Sequence, residues 1–134
     1  MKKLLTVFIS MLSFVLVTTS CTKENEKKTT QVTIIVKDGS GVAQSGVDVH
    51  MYTKTAFIVH GNDPFYTHKT ATTGSDGSAV FNIVSPDDVL WNSSNTSEEF
   101  YYGILYRVGA VDKEKHTAVT LSEGDVKSAN LVMN

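Results

Sequence analysis

The stretch Val32–Thr53, VTIIVKDGSGVAQSGVDVHMYT, decides the fold. Val32, Ile34 and Val36 alternate with Thr33 and Lys37. A period of two puts successive side chains on opposite faces, so this run reads as a half-buried strand. Asp38-Gly39-Ser40-Gly41 breaks it with residues that suit a tight turn. Alternation then resumes, with Val47, Val49 and Met51 on one face and Asp48, His50 and Tyr52 on the other. Two strands joined by a turn, each with one apolar face, need a second layer to cover them.

The same grammar continues to the end of the chain. Ala79, Phe81 and Ile83 follow the turn Ser75-Asp76-Gly77. Phe100, Tyr102, Ile104, Tyr106 and Val108 make the longest alternating face. Thr117, Val119 and Leu121 form another, and Ala129, Leu131 and Met133 close the chain. A further strand is expected over Tyr66–Thr72. Asp112-Lys113-Glu114-Lys115 and Glu123-Gly124-Asp125 read as turns, and Pro64 and Pro86 fall in loops. No window carries helical periodicity. Short, regularly spaced strands separated by turn residues predict an all-β fold, a seven-stranded antiparallel β-sandwich with Phe81, Tyr102, Ile104 and Leu131 inside.

Two segments carry a family resemblance. Val32–Thr53 resembles the opening of transthyretin-like modules, the carboxypeptidase regulatory-like and Cna B-type domains, with their strand, Asp-x-x-Gly, short loop, Gly-Val and second strand. TATTGSDGSAVFNIV (Thr70–Val84) resembles their next element, a Thr-rich strand that turns at Asp-Gly into a strand bearing an aromatic residue. The end, YYGILYRVGAV through NLVMN, is similar to the last three strands of that family. The resemblance implies a transthyretin-like or immunoglobulin-like sandwich over residues 31–134, a scaffold that serves as spacer, adhesin stalk or accessory domain.

Activities known on this scaffold are tested residue by residue. An isopeptide bond between a first-strand Lys and a last-strand Asn would need Lys37 and Asn130. Alternation turns both outward, opposite to Val36 and Leu131, and Asn82 occupies the place of the assisting acid. The hydrolases of purine breakdown with this fold end in Tyr-Arg-Gly-Ser, whereas this chain ends Leu-Val-Met-Asn. Iron-binding dioxygenases of related architecture use two Tyr and two His at a spacing absent here. The chain is therefore expected to be non-enzymatic, with no catalytic residues and no cofactor.

The amino terminus, MKKLLTVFISMLSFVLVTTSC, has a positive start in Lys2 and Lys3, an apolar stretch over Leu4–Val17 and small polar residues before Cys21. This layout marks a processing segment, and the apolar run is too short for a membrane span of about 20 residues. It resembles a bacterial lipoprotein signal, although Thr18 stands where that signal carries Leu, Val or Ile. The resemblance implies a leader at 1–20 and a lipid, with palmitate among its acyl chains, on Cys21. As the only cysteine in the chain, Cys21 has no internal disulfide partner. Residues 21–30 are polar and read as a flexible tether. Lys23, Glu24 and Glu26 are similar to acidic tags that send lipoproteins to the cell surface, so the expected location is the outer membrane, facing outward.

Charge and composition narrow the partners. Without Lys2 and Lys3 the 12 basic residues fall to 10 against 14 acidic ones, a net of −4. A mildly acidic domain does not suit nucleic acid. His50, His60, His68 and His116 show no metal-ligand spacing, and Asp87-Asp88 lies in no cation-binding motif, so no metal is expected. Asn92 and Asn95 open sequons of little weight in a bacterial lipoprotein. Two long connections stand out, Lys54–Pro64 and Ser85–Glu99. Phe57 lies in the first. Trp91, the only tryptophan, and Asn92 lie in the second. These three are the candidate residues for binding a glycan or protein ligand. The expected function is a membrane-anchored structural or ligand-binding module; the alternative is an accessory subunit of a larger envelope complex.

Overall fold

A computed structural model describes residues 28–84 and 97–134. Cys21, Trp91, Asn92, Asn95 and Asp87-Asp88 lie outside them. Seven strands form two sheets. β1 (Thr29–Asp38) lies between β4 (Ser78–Val84) and β7 (Val126–Met133) in one sheet. The other has the order β3 (Lys69–Thr72), β2 (Asp48–Thr53), β5 (Ser97–Val108), β6 (Val111–Ser122). The core between them holds the alternating positions: Val32, Ile34, Val36, Val49, Met51, Phe81, Ile83, Phe100, Tyr102, Ile104, Leu121 and Leu131 are buried. All four residues expected inside are there. Over the described residues the chain is an all-β sandwich of seven strands.

The structure corrects the expected arrangement in several places. The sandwich is not wholly antiparallel, because β1 and β7 pair in parallel, with Ile34 opposite Ala129. Alternation reports which face is buried and is blind to strand direction. The expected strand over Tyr66–Thr72 begins at Lys69, after a 3-10 turn over Pro64–Tyr66. A short helix, α1 (Lys54–His60), occupies most of the first long connection. Asp112–Lys115 is strand, and the β5–β6 turn falls at Gly109-Ala110. Alternating charges there suit an edge strand as well as a turn. Val108, expected on the core face, is 48 % exposed, because the hairpin outruns the opposite sheet.

Turn chemistry elsewhere acts as expected. Gly77 has φ +75, and a Cβ there would lie 2.6 Å from the Val36 carbonyl oxygen. The Asp76 carboxylate accepts from the Ser78 N–H and hydroxyl, which holds it below the usual carboxylate range. β1 starts inside the stretch read as tether: Thr30 is buried and its hydroxyl oxygen accepts from the Gly124 N–H at 2.9 Å. Lys37 pairs across from Val132 and Ile35 from Asn130, with Asn130 on the outward face of β7.

The two ends of the sandwich differ. Thr29, Val84, Ser97 and the Glu123–Asp125 turn meet at one end, where the Gln31 N–H donates to the Asp125 carbonyl. The opposite end carries the loop after Asp38, the Ser75–Gly77 turn and the β5–β6 hairpin tip.

Candidate functional site

The outer face of the four-stranded sheet is covered by the Lys54–Tyr66 connection. Thr53 ends β2 and caps α1, its hydroxyl oxygen accepting from the Ala56 N–H at 3.2 Å. The Gly61 N–H donates to the Phe57 carbonyl and closes the helix. Asp63 caps the following 3-10 turn by accepting from the Phe65 N–H, with Pro64 at its start. A helix of seven residues containing Ile58 and Val59 has little stability of its own, so packing must hold it.

Two contacts do so. The Phe57 ring stacks on Tyr101, with centroids 4.3 Å apart and planes within 7°, and it also meets Tyr52 and His116. Beyond the helix, Asn62 is buried against β5. Its Nδ2 donates to the Ile104 carbonyl at 3.0 Å, and its Oδ1 accepts from the Tyr52 hydroxyl at 3.0 Å. The space for this amide exists because residue 103 is glycine. A Cβ there would lie 2.1 Å from Asn62 Oδ1. Tyr52, expected on a solvated face, is therefore fully buried. Burial, helped by the Asp63 and Glu114 carboxylates, pushes its phenol up to about 12.

The same face brings two histidines into one row. His50 and His116 are both in register with Gly103, from the strands on either side. The Asn62 side chain occupies the position over Gly103 between them. His50 Nδ1 meets the Thr70 hydroxyl at 3.0 Å, and burial lowers its pKa, with Asp48 opposing. Among the described residues no three His, Cys, Asp or Glu side chains group to hold a metal ion. Near the base of the helix, Glu99 accepts a hydrogen bond from Tyr101 and pairs with Lys54 at 3.6 Å, which keeps its carboxylate ionised below the usual range.

Mounted in this way, the connection turns apolar side chains outward. Ile58 and Val59 are each 66 % exposed, Phe65 85 % and Tyr66 41 %. The Tyr66 ring lies flat on His60 at 3.5 Å, and Phe65 stands edge-on to Tyr66 at 5.1 Å. Of the sequence candidates, Phe57 is in this connection but half-buried, fastening the helix to the sheet. Trp91 and Asn92 are outside the described residues. Asn62, Tyr101 and Gly103 were missed by sequence reasoning. The available signal was Gly103, an isolated glycine inside an aromatic-rich strand, which marks close approach by another segment. Cys21, the expected lipid site, is also outside the described residues.

No protein-family model matches the chain, and no curated protein matches it. A solved structure to which it is similar is the Bacillus anthracis TIE protein, with TM-score 0.48 and 12 % identity over 79 % of this chain. The chain spans 16 % of that protein's length.

Proposed function

We propose that this chain is a lipid-anchored, surface-facing envelope module that works by binding, through the Lys54–Tyr66 connection, and not by catalysis. The anchor is Cys21, following the leader at 1–20. The observation that carries the reading is the pairing of a rigid mount with an uncovered surface. Phe57 on Tyr101 and Asn62 over Gly103 hold a segment that leaves Ile58, Val59, Phe65 and Tyr66 exposed. Contiguous exposed apolar side chains on a folded domain mark an interaction site. Glycan, protein and membrane surfaces are the ligand classes that aromatic side chains serve.

A chain beginning at residue 21 and carrying Cys21→Ser tests the surface without the lipid. It should be retained on purified envelope preparations, and Ile58→Asp with Phe65→Asp should abolish retention while leaving the melting midpoint within a few degrees. Equal retention of that double variant would sink the reading. The anchor is tested separately: Cys21→Ala in the full chain should move the protein out of the detergent phase.

The alternative, an accessory subunit, is favoured by the β5–β6 hairpin. Leu105, Val108 and Val111 are exposed there beside an open cavity of about 590 Å³ lined by Tyr106, Arg107, Lys113 and Glu114. A stable stoichiometric partner lost on Val108→Asp would support that role.

A further inference from the structure

The segment that carries the exposed ridge of Ile58, Val59, Phe65 and Tyr66 leaves β2 and rejoins the sheet at β3 toward the end of the sandwich where the amino-terminal segment enters. α1 starts directly after Thr53, with Lys54 beside Glu99, near the first residue of β5. The 3-10 turn leads into Lys69, opposite Met51 near the end of β2. Thr29 begins β1 at that same end, paired with Val84. From these positions we propose that the ridge docks on the lipid bilayer itself, laying the domain against the membrane that holds it. This deepens the function proposed above and rests on the Cys21 anchor for its biological setting.

Reach is sufficient. Eight Cα-to-Cα steps lead from Cys21 to Thr29, at most about 28 Å of extended chain. Thr29 is in the three-stranded sheet, and the helix lies outside the four-stranded one. With about 10 Å per layer, the lateral distance is about 20 Å. A lipid on Cys21 therefore leaves the ridge free to touch the same surface.

The chemistry of the ridge also fits. The exposed parts of its four side chains amount to on the order of 500 Å², toward the upper end for a monomer's largest apolar patch. A phenol beside bare Phe, Ile and Val suits the bilayer interface, where one end of a side chain is apolar and the other wet. A second copy of this chain is a poorer occupant. Two such ridges would bury about 1,000 Å² in total, the floor for a specific interface, and both are raised above their sheets. Of the cations flanking the connection, Lys54 pairs with Glu99, and Lys69 Nζ donates to the Asn82 carbonyl. Docking should accordingly come from apolar insertion and vary little with salt or with anionic lipid.

The test uses the chain from residue 21 with Cys21→Ser, which contains every residue of the sandwich core. Val59→Cys provides a single thiol for an environment-sensitive fluorophore, and Val111→Cys at the hairpin tip provides the control. On adding phosphatidylethanolamine–phosphatidylglycerol vesicles, the Val59 probe should shift to the blue and resist iodide quenching, while the Val111 probe should not. Phe65→Ser and Ile58→Ser should each weaken partitioning on the order of tenfold. Retention on envelope preparations with no response to pure lipid vesicles would overturn the bilayer proposal and leave the binding function standing, with a protein or glycan as ligand. A blue shift without vesicles, accompanied by a dimer mass in light scattering, would overturn it in favour of a second copy. Mass analysis of the processed native amino terminus decides the lipid on Cys21 independently of either result.

Discussion

Replacing Gly103 with alanine is the sharpest probe of how the Lys54–Tyr66 connection is held. In a strand interior this exchange normally helps, because glycine costs about 0.5–1 kcal/mol there relative to alanine. Gly103 is not among the positive-φ glycines, so alanine meets no backbone penalty. Space decides the sign. The new methyl would sit 2.1 Å from Oδ1, 2.5 Å from Cγ and 2.8 Å from Nδ2 of Asn62, so the amide must leave. With it go the bonds to the Tyr52 hydroxyl and the Ile104 carbonyl, both 3.0 Å. A buried phenol left without a partner costs about 1–3 kcal/mol, and each lost bond contributes about 1 kcal/mol. After the alanine gain, the net loss is about 2–4 kcal/mol. For a domain of this size that corresponds to a fall in melting midpoint of roughly 10–25 °C. Thermal or urea unfolding measures it, and a double-mutant cycle isolates the cause. Once Asn62→Ala has emptied the site, adding Gly103→Ala should cost nothing more, giving a coupling of about 2 kcal/mol or above. A neutral Gly103→Ala, or simple additivity of the two changes, would refute the reasoning.

The remaining expectations follow from the core and its charges. Phe81→Ala should destabilise by about 3–5 kcal/mol in chemical denaturation, because the ring is buried against Tyr102. Tyr102→Phe should be neutral or stabilising by about 1 kcal/mol, since its buried hydroxyl has no partner among the described residues; a marked loss of stability would show that the hydroxyl is satisfied. Acid should weaken the fold. Bonding to Ser78, Tyr101 and Ser122 respectively holds the Asp76, Glu99 and Asp125 carboxyls low, so their contribution is present above about pH 4 and lost as pH falls through their folded values. Burial lowers His50, so its protonation favours the unfolded chain as pH falls below about 6.5. His50→Gln should flatten the melting midpoint in that range.

The core was legible in the sequence because β alternation is a local rule. Val32, Ile34 and Val36, Val49 and Met51, Phe81 and Ile83, and Phe100, Tyr102 and Ile104 each declare their face within one strand, and the Asp-Gly turns mark where strands reverse. Strand direction was not legible. The parallel pairing of β1 with β7 joins residues about 95 apart, and either direction buries the same faces. The candidate surface was half legible: Lys54–Pro64 stood out as a long connection, but its helix has weak propensity and forms because Phe57 finds Tyr101 and Asn62 finds Gly103.

By itself, then, the sequence determined the layered β architecture and most of the inward set of side chains. These depend on periodicity. Tertiary structure decided that Tyr52 is buried, that Phe57 faces the sheet, and that Ile58, Val59, Phe65 and Tyr66 are left outside. Those outcomes depend on which distant backbone has room to receive a side chain. In this protein the room comes from a missing Cβ at residue 103.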